Sequence, residues 1–145
     1  MKAVIQVVKE ASVTVEGEVV SSIDKGYLIL LGIGKDDTNE FIKKMVDKIV
    51  NLRIFADENG KINLSIKDVG GKIIVVSQFT LYADTRKGNR PSFVNAMSGE
   101  ESKKLYEEFL LEMKKTGIDT YSGVFGADMK VSLINDGPVT IIMEY

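Results

Sequence analysis

Ser12-Val13-Thr14-Val15-Glu16-Gly17 alternates polar and β-branched apolar side chains and stops at a glycine. A period of two is the mark of a strand with one buried face, and Gly17 suits a hairpin turn. Val19 and Val20 carry the pattern to Asp24-Lys25-Gly26, a second turn signal, and Tyr27-Leu28-Ile29-Leu30-Leu31 then follows without a charged residue. That run reads as a strand covered on both faces. The opening third is expected to be a strand meander.

Past Gly34 the period changes. Phe41, Ile42, Met45, Val46, Ile49 and Val50 recur every three or four residues, one face of a helix that Asp37 or Thr38 could cap. Ser98 with Glu101 three residues later spells a capping box, and Leu105, Tyr106, Phe109, Leu110 and Met113 give a second helix one apolar side. Lys114, Lys115 and Gly117 suit its end. Between the helices, Asp57-Glu58-Asn59-Gly60 and Gly70-Gly71 punctuate short strands, the second turn feeding Ile73-Ile74-Val75-Val76. Near the C-terminus, Val131 to Ile134 and Val139 to Met143 flank Asn135-Asp136-Gly137-Pro138, expected to be a tight connection at a sheet edge. There is no repeat, low-complexity tract or linker. Mostly adjacent strands with two inserted helices point to an α+β fold with a curved, largely antiparallel sheet, in one domain spanning 1–145.

The composition narrows the chemistry. The chain has no cysteine, which removes thiolate nucleophiles, disulfides and cysteine metal sites, and no histidine, which removes the imidazole base and every Ser-His or Cys-His arrangement. Apolar runs such as Tyr27 to Ile33 are too short to span a bilayer, and no signal-peptide layout opens the chain, so a cytoplasmic protein is expected. A net charge of -2 argues against a general polyanion binder, so any nucleic-acid contact must be local.

Three segments could carry function. The strand Ile73 to Val76 stops at Ser77-Gln78-Phe79-Thr80, so a rigid element delivers two hydroxyls and an amide to one place; such residues also bond neighbouring backbone at ordinary strand ends. Gly137-Pro138 marks a turn wherever it occurs. Arg86-Lys87-Gly88-Asn89-Arg90 places three positive charges in five residues of an acidic chain, which suits a phosphate contact and equally a solvated loop.

Together these segments resemble a known family. Val76-Ser77-Gln78-Phe79-Thr80-Leu81 and Asn135-Asp136-Gly137-Pro138-Val139-Thr140 are similar to the two signature motifs of the D-aminoacyl-tRNA deacylases, in the same order and at similar spacing. The likeness extends through Ala11 to Val15, Arg53-Ile54-Phe55, Arg86 to Phe93 and Phe125-Gly126-Ala127-Asp128-Met129. One departure is Val7, where the family commonly has arginine after the glutamine that matches Gln6.

The resemblance implies a barrel-like fold and hydrolysis of the ester joining a D-amino acid to the terminal adenosine of tRNA, without metal or cofactor. It implies that Ser77, Gln78, Phe79 and Thr80 form the catalytic segment, and that Phe125, Met129 and Asn135 line the substrate pocket. A cis Gly137-Pro138 bond would direct both carbonyl oxygens the same way to capture the substrate's amino group, so that an L-side chain collides with backbone. The proline loop of one subunit would enter the site of the other in a homodimer, and Arg86, Lys87 and Arg90, with Lys43, Lys44 and Lys48 as weaker candidates, would meet the tRNA backbone. Two routes fit the missing histidine: attack by the Thr80 hydroxyl, or backbone amides near Phe79 and Thr80 holding the carbonyl oxygen while a ribose hydroxyl positions water. The second asks less of the protein. Because glycine has no side chain to reject, glycyl-tRNA is an expected substrate. The rival readings are an RNA-binding module, with Phe79 and Phe93 stacking bases, and a hydrolase of small esters.

Overall fold

The alternation at Val13 and Val15 ends in a turn at Glu16 and Gly17, where φ is positive at both residues, 49° and 80°. That conformation matches the right-handed twist of the flanking strands, and glycine takes it without a Cβ penalty. In the computed structural model, which describes residues 1–145, the elements are β1 (Lys2–Val15), β2 (Glu18–Ile23), β3 (Gly26–Gly32), α1 (Glu40–Asn51), β4 (Phe55–Ala56), β5 (Ile62–Leu64), β6 (Lys72–Ser77), a 3-10 turn (Phe79–Tyr82), α2 (Gly99–Lys115), β7 (Thr120–Ser122) and β8 (Lys130–Glu144). No helix is long and apolar enough to cross a membrane.

The main sheet is built on β1, which pairs antiparallel with β2, β3 and β8. The expected meander is instead one long hairpin. Ala11 faces Ile23 and Val8 faces Gly26, three residues on in each strand, so β2 and β3 follow each other along the same edge of β1. From β3 the sheet continues through β6 to β7 in parallel. Parallel neighbours require crossovers, and here one crossover carries α1 and the other carries α2.

These crossovers explain why Tyr27 to Leu31 and Ile73 to Val76 contain so little polarity. On one face of the sheet, Ile5, Tyr27, Ile29 and Ile73 pack with Ile42, Met45, Ile49, Tyr106, Phe109 and Met113 of the two helices. On the other, Val8, Ala11, Val13, Leu28, Ile74 and Val76 meet inside the curve of the sheet. The result is a nearly closed, barrel-like sheet with two helices, the α+β class expected. Each large apolar side chain so buried contributes roughly 1.5–3 kcal/mol.

Both helical faces are as their periodicity predicts, but their caps are not. The residue preceding α1 is Asn39, with no side-chain cap bond. Asp37 is engaged elsewhere: it accepts the Gly34 N–H at 2.6 Å and the Tyr82 hydroxyl at 3.3 Å, and pairs with the Met1 amino group at 2.5 Å. Ser98 does occupy the N-cap of α2 in extended conformation, yet its hydroxyl makes no cap bond.

The segment Asn135 to Pro138 also departs from expectation. It does not connect two separate strands, because β8 runs unbroken from Lys130 to Glu144 beside β1. The five steps from Asn135 to Thr140 oppose only two steps of β1, from Val8 to Gln6, so the intervening residues bulge out of the ladder. At the bulge the Gly137-Pro138 peptide is cis and Gly137 has φ 136°. A Cβ built there would lie 2.8 Å from Val139 Cγ2 and 2.9 Å from Val139 N, so glycine alone fits without strain.

Candidate active site

Strand β6 is held at its end by the Gln78 N–H, which donates to Leu31 O at 2.8 Å. The chain then winds into the 3-10 turn, closed by Leu81 N–H to Gln78 O at 3.3 Å and Ala83 N–H to Thr80 O at 3.0 Å. The Gln78 side-chain amide donates to Thr80 Oγ1. Phe79 is 54% exposed, and its ring meets Phe93 edge to face at 5.0 Å between centroids.

Behind Phe79 lies a pocket of about 580 Å³, lined by Ser77, Gln78 and Phe79 and walled by Phe93, Phe125 and Met129 among others. Phe125 packs on Tyr106 at 5.5 Å, and the Tyr106 hydroxyl donates to Val75 O at 2.8 Å, which ties α2 to the strand that carries the motif. Burial pushes the Tyr106 phenol up to about 12. The pocket is mainly apolar; Asp128, on its wall, is paired with Lys130 at 2.9 Å. No group of three or more acidic side chains converges to hold a metal ion.

The structure therefore brings Ser77, Gln78, Phe79, Phe125 and Met129 to one pocket, with Thr80 exposed beside it. Asn135, Gly137 and Pro138 do not line it. They stand exposed on the β8 bulge, where Gln6 Nε2 donates to Asn135 Oδ1 at 3.3 Å. Val7 is 4% exposed and points into the helix-side core, so the bulge is braced by Gln6 and not from position 7. Among the basic candidates, Arg86 grips Asp84 at 2.6 and 2.9 Å. That contact holds the Asp84 carboxyl well below the usual range and raises the Arg86 guanidinium. Lys87 and Arg90 are exposed and make no ion pair, Lys43 pairs with Asp47 at 3.2 Å, and the Lys44 ammonium lies 5.0 Å from the Tyr145 ring centre. Sequence reasoning missed Met97 and Ser102 of the pocket wall. Ser102 left a readable signal, a hydroxyl four residues before Tyr106 on an otherwise apolar helical face.

The model of one protein family, D-Tyr-tRNA(Tyr) deacylase, matches residues 4–144 of this chain, a span that includes the Ser77 to Thr80 motif at the pocket. The chain belongs to this family. Deacylases of this kind are hydrolases acting on an ester bond. A D-aminoacyl-tRNA deacylase of Clostridium novyi (strain NT) is 54% identical over 144 residues, covering 99% of this chain and 97% of that protein. One of Thermosipho africanus (strain TCF52B) is 55% identical with the same coverage. A solved structure described as c-Myc DNA Unwinding Element Binding Protein superposes with a TM-score of 0.93 at 47% identity, covering 100% of this chain and 99% of its own. A probable eukaryotic D-amino acid tRNA deacylase shares the fold at a TM-score of 0.83 and 17% identity, covering 98% of this chain and 97% of its own.

Proposed function

We propose that this chain hydrolyses the ester of D-aminoacyl-tRNA, as a single catalytic domain over residues 1–145 acting in the cytoplasm without cofactor. The observation that carries this reading is the 3-10 turn at the mouth of an aromatic pocket, in a protein with no histidine or cysteine. The first N–H groups of a helical turn lack intrahelical partners. The amides of Phe79 and Thr80 would therefore receive the developing oxyanion, and an aminoacyl ester is activated enough for orientation and such donors to supply the rate. Thr80 acts as scaffold: its oxygen already accepts a hydrogen bond from Gln78, and the chain has no histidine to take its proton. A hydroxyl of the tRNA's terminal ribose positions the water. The terminal base enters the apolar pocket and leaves the amino acid at the lip.

Chirality is set by Gly137 and Pro138, whose carbonyl oxygens capture the amino group while an L-side chain meets rigid main chain. Asn135 joins that loop to the substrate pocket. Supporting this is the position of the bulge, exposed and away from the pocket of its own chain, free to enter that of a second copy. The working unit is then a homodimer, and a stable, active monomer would contradict it. Arg86, Lys87 and Arg90 contact tRNA phosphates, with Lys43, Lys44 and Lys48 weaker contributors. Glycyl-tRNA is a substrate because it offers no side chain to refuse.

A second reading, nucleic-acid binding without chemistry, has in its favour the exposed Phe79 and Val94 flanking the basic loop. The test is to give the pure protein D-aminoacyl-tRNA, L-aminoacyl-tRNA, glycyl-tRNA and a simple amino ester. Rapid cleavage of the D and glycyl substrates with the L form spared is expected. Equal cleavage of both hands, or binding without turnover, would overturn the proposal.

A further inference from the structure

Apart from the tyrosines, two polar side chains are buried in this protein, Ser21 and Ser102, each 7% exposed. The Ser21 hydroxyl donates to Ser122 O, whereas the Ser102 hydroxyl bonds nothing in the chain. Folding gains nothing from it, since an unpaired hydroxyl in apolar surroundings is costly and alanine is the better helix former. No side-chain oxygen or nitrogen is sealed in the interior without a partner, so the Ser102 oxygen opens onto the pocket that this residue lines. It is a hydrogen-bonding group held on a rigid helix and aimed at whatever fills that space.

We propose that Ser102 is a substrate-binding residue whose hydroxyl pairs with the hydrogen-bonding edge of the terminal base of tRNA. This rests on the deacylase reading above and adds the residue that fixes the base. The surroundings favour an uncharged ring over a phosphate or carboxylate: the pocket wall is mainly apolar and carries no lysine or arginine to pair with an anion. Phe93, Phe125 and Met129 offer apolar contact to the faces of a flat heterocycle. A serine hydroxyl both donates and accepts, so it serves either a ring nitrogen or an exocyclic amine.

The test uses full-length wild type and Ser102→Ala with two non-hydrolysable probes. One is D-alanine joined by an amide to 3′-amino-3′-deoxyadenosine, and the other is the same molecule with the base replaced by hydrogen. Ser102→Ala is expected to bind the adenine probe about five- to tenfold more weakly and the baseless probe as well as wild type does, the size of one neutral hydrogen bond. Its kcat/KM for D-aminoacyl-tRNA falls by the same factor, through KM, while its thermal midpoint is equal to or above wild type. A structural serine would show the reverse, a lowered midpoint with both probes weakened together, and that result overturns the proposal. So does unchanged binding of both probes by a variant that still turns over D-aminoacyl-tRNA, which leaves the deacylase reading standing. Wild type that fails to cleave D-aminoacyl-tRNA sinks the deacylase reading, and this inference with it.

Discussion

Thr80 holds the hydroxyl nearest the proposed oxyanion donors, and the Gln78 amide already donates to it. A side chain used as an acceptor, with no base to receive its proton, is a poor nucleophile. Thr80→Ala is therefore expected to keep kcat within about threefold of wild type in single-turnover assays, whereas a loss of about a thousandfold would reinstate the covalent route. Gly137 is constrained differently. Its φ of 136° excludes side chains, and an added Cβ would press on Val139 from 2.8 Å. Gly137→Ala should impose roughly 1–3 kcal/mol of local strain and displace the bulge. The expected readout is a D-to-L cleavage ratio lowered by at least about tenfold, since each 1.4 kcal/mol of discrimination is one decade; an unaltered ratio would show that these carbonyls do not select the enantiomer.

At the scale of elements, β6 and α2 form one unit, joined by the Tyr106 hydroxyl on Val75 O, and the pocket lies where they diverge. The long connection between them also carries residues 86 to 90. Arg86 is neutralised by Asp84, so Lys87 and Arg90 carry the free charge of this loop. Replacing both by alanine should raise KM for charged tRNA at low salt and lower the slope of log affinity against log salt by about one to two, leaving kcat unchanged. A slope identical to wild type would move the phosphate contacts elsewhere, with Lys48 next to examine. The helix faces were legible beforehand, because Ile42, Met45, Ile49, Tyr106, Phe109 and Met113 repeat with the helical period. The caps were not, since Asp37 has the right side chain for a cap but is claimed by Gly34 and Tyr82, partners brought to it only by folding.

For the whole molecule, the missing histidines and cysteines leave no side chain with an ordinary titration between about pH 5 and 8. Stability should be flat there, and an inflection in kcat/KM near neutrality would belong to an α-amino group, foremost the substrate's own. The alkaline limb is set by burial of Tyr27, Tyr82 and Tyr106, all raised from an ordinary 10.0, with Asp37 adding to the effect at Tyr82. A raised phenol favours the neutral form in the folded state. Its stabilising contribution is complete below pH 10.0 and is lost as the pH rises toward the folded value, about 12 for Tyr106. Urea midpoints should fall above about pH 10 as tyrosinate absorbance rises; constant midpoints up to pH 12 would contradict this account. Sequence by itself determined most of the strand segments, both helical faces and the two motifs, because side-chain periodicity and short-range backbone preference are local properties; it did not mark the short strand Thr120–Ser122. Tertiary structure alone decided that β2 and β3 share one edge of β1, that β6 lies parallel to β3, that the 135 to 138 segment is a bulge within one strand, and that Ser102 opens into the pocket. Each of these depends on which distant segments compete for the same backbone groups and buried volume, and no local pattern encodes that competition.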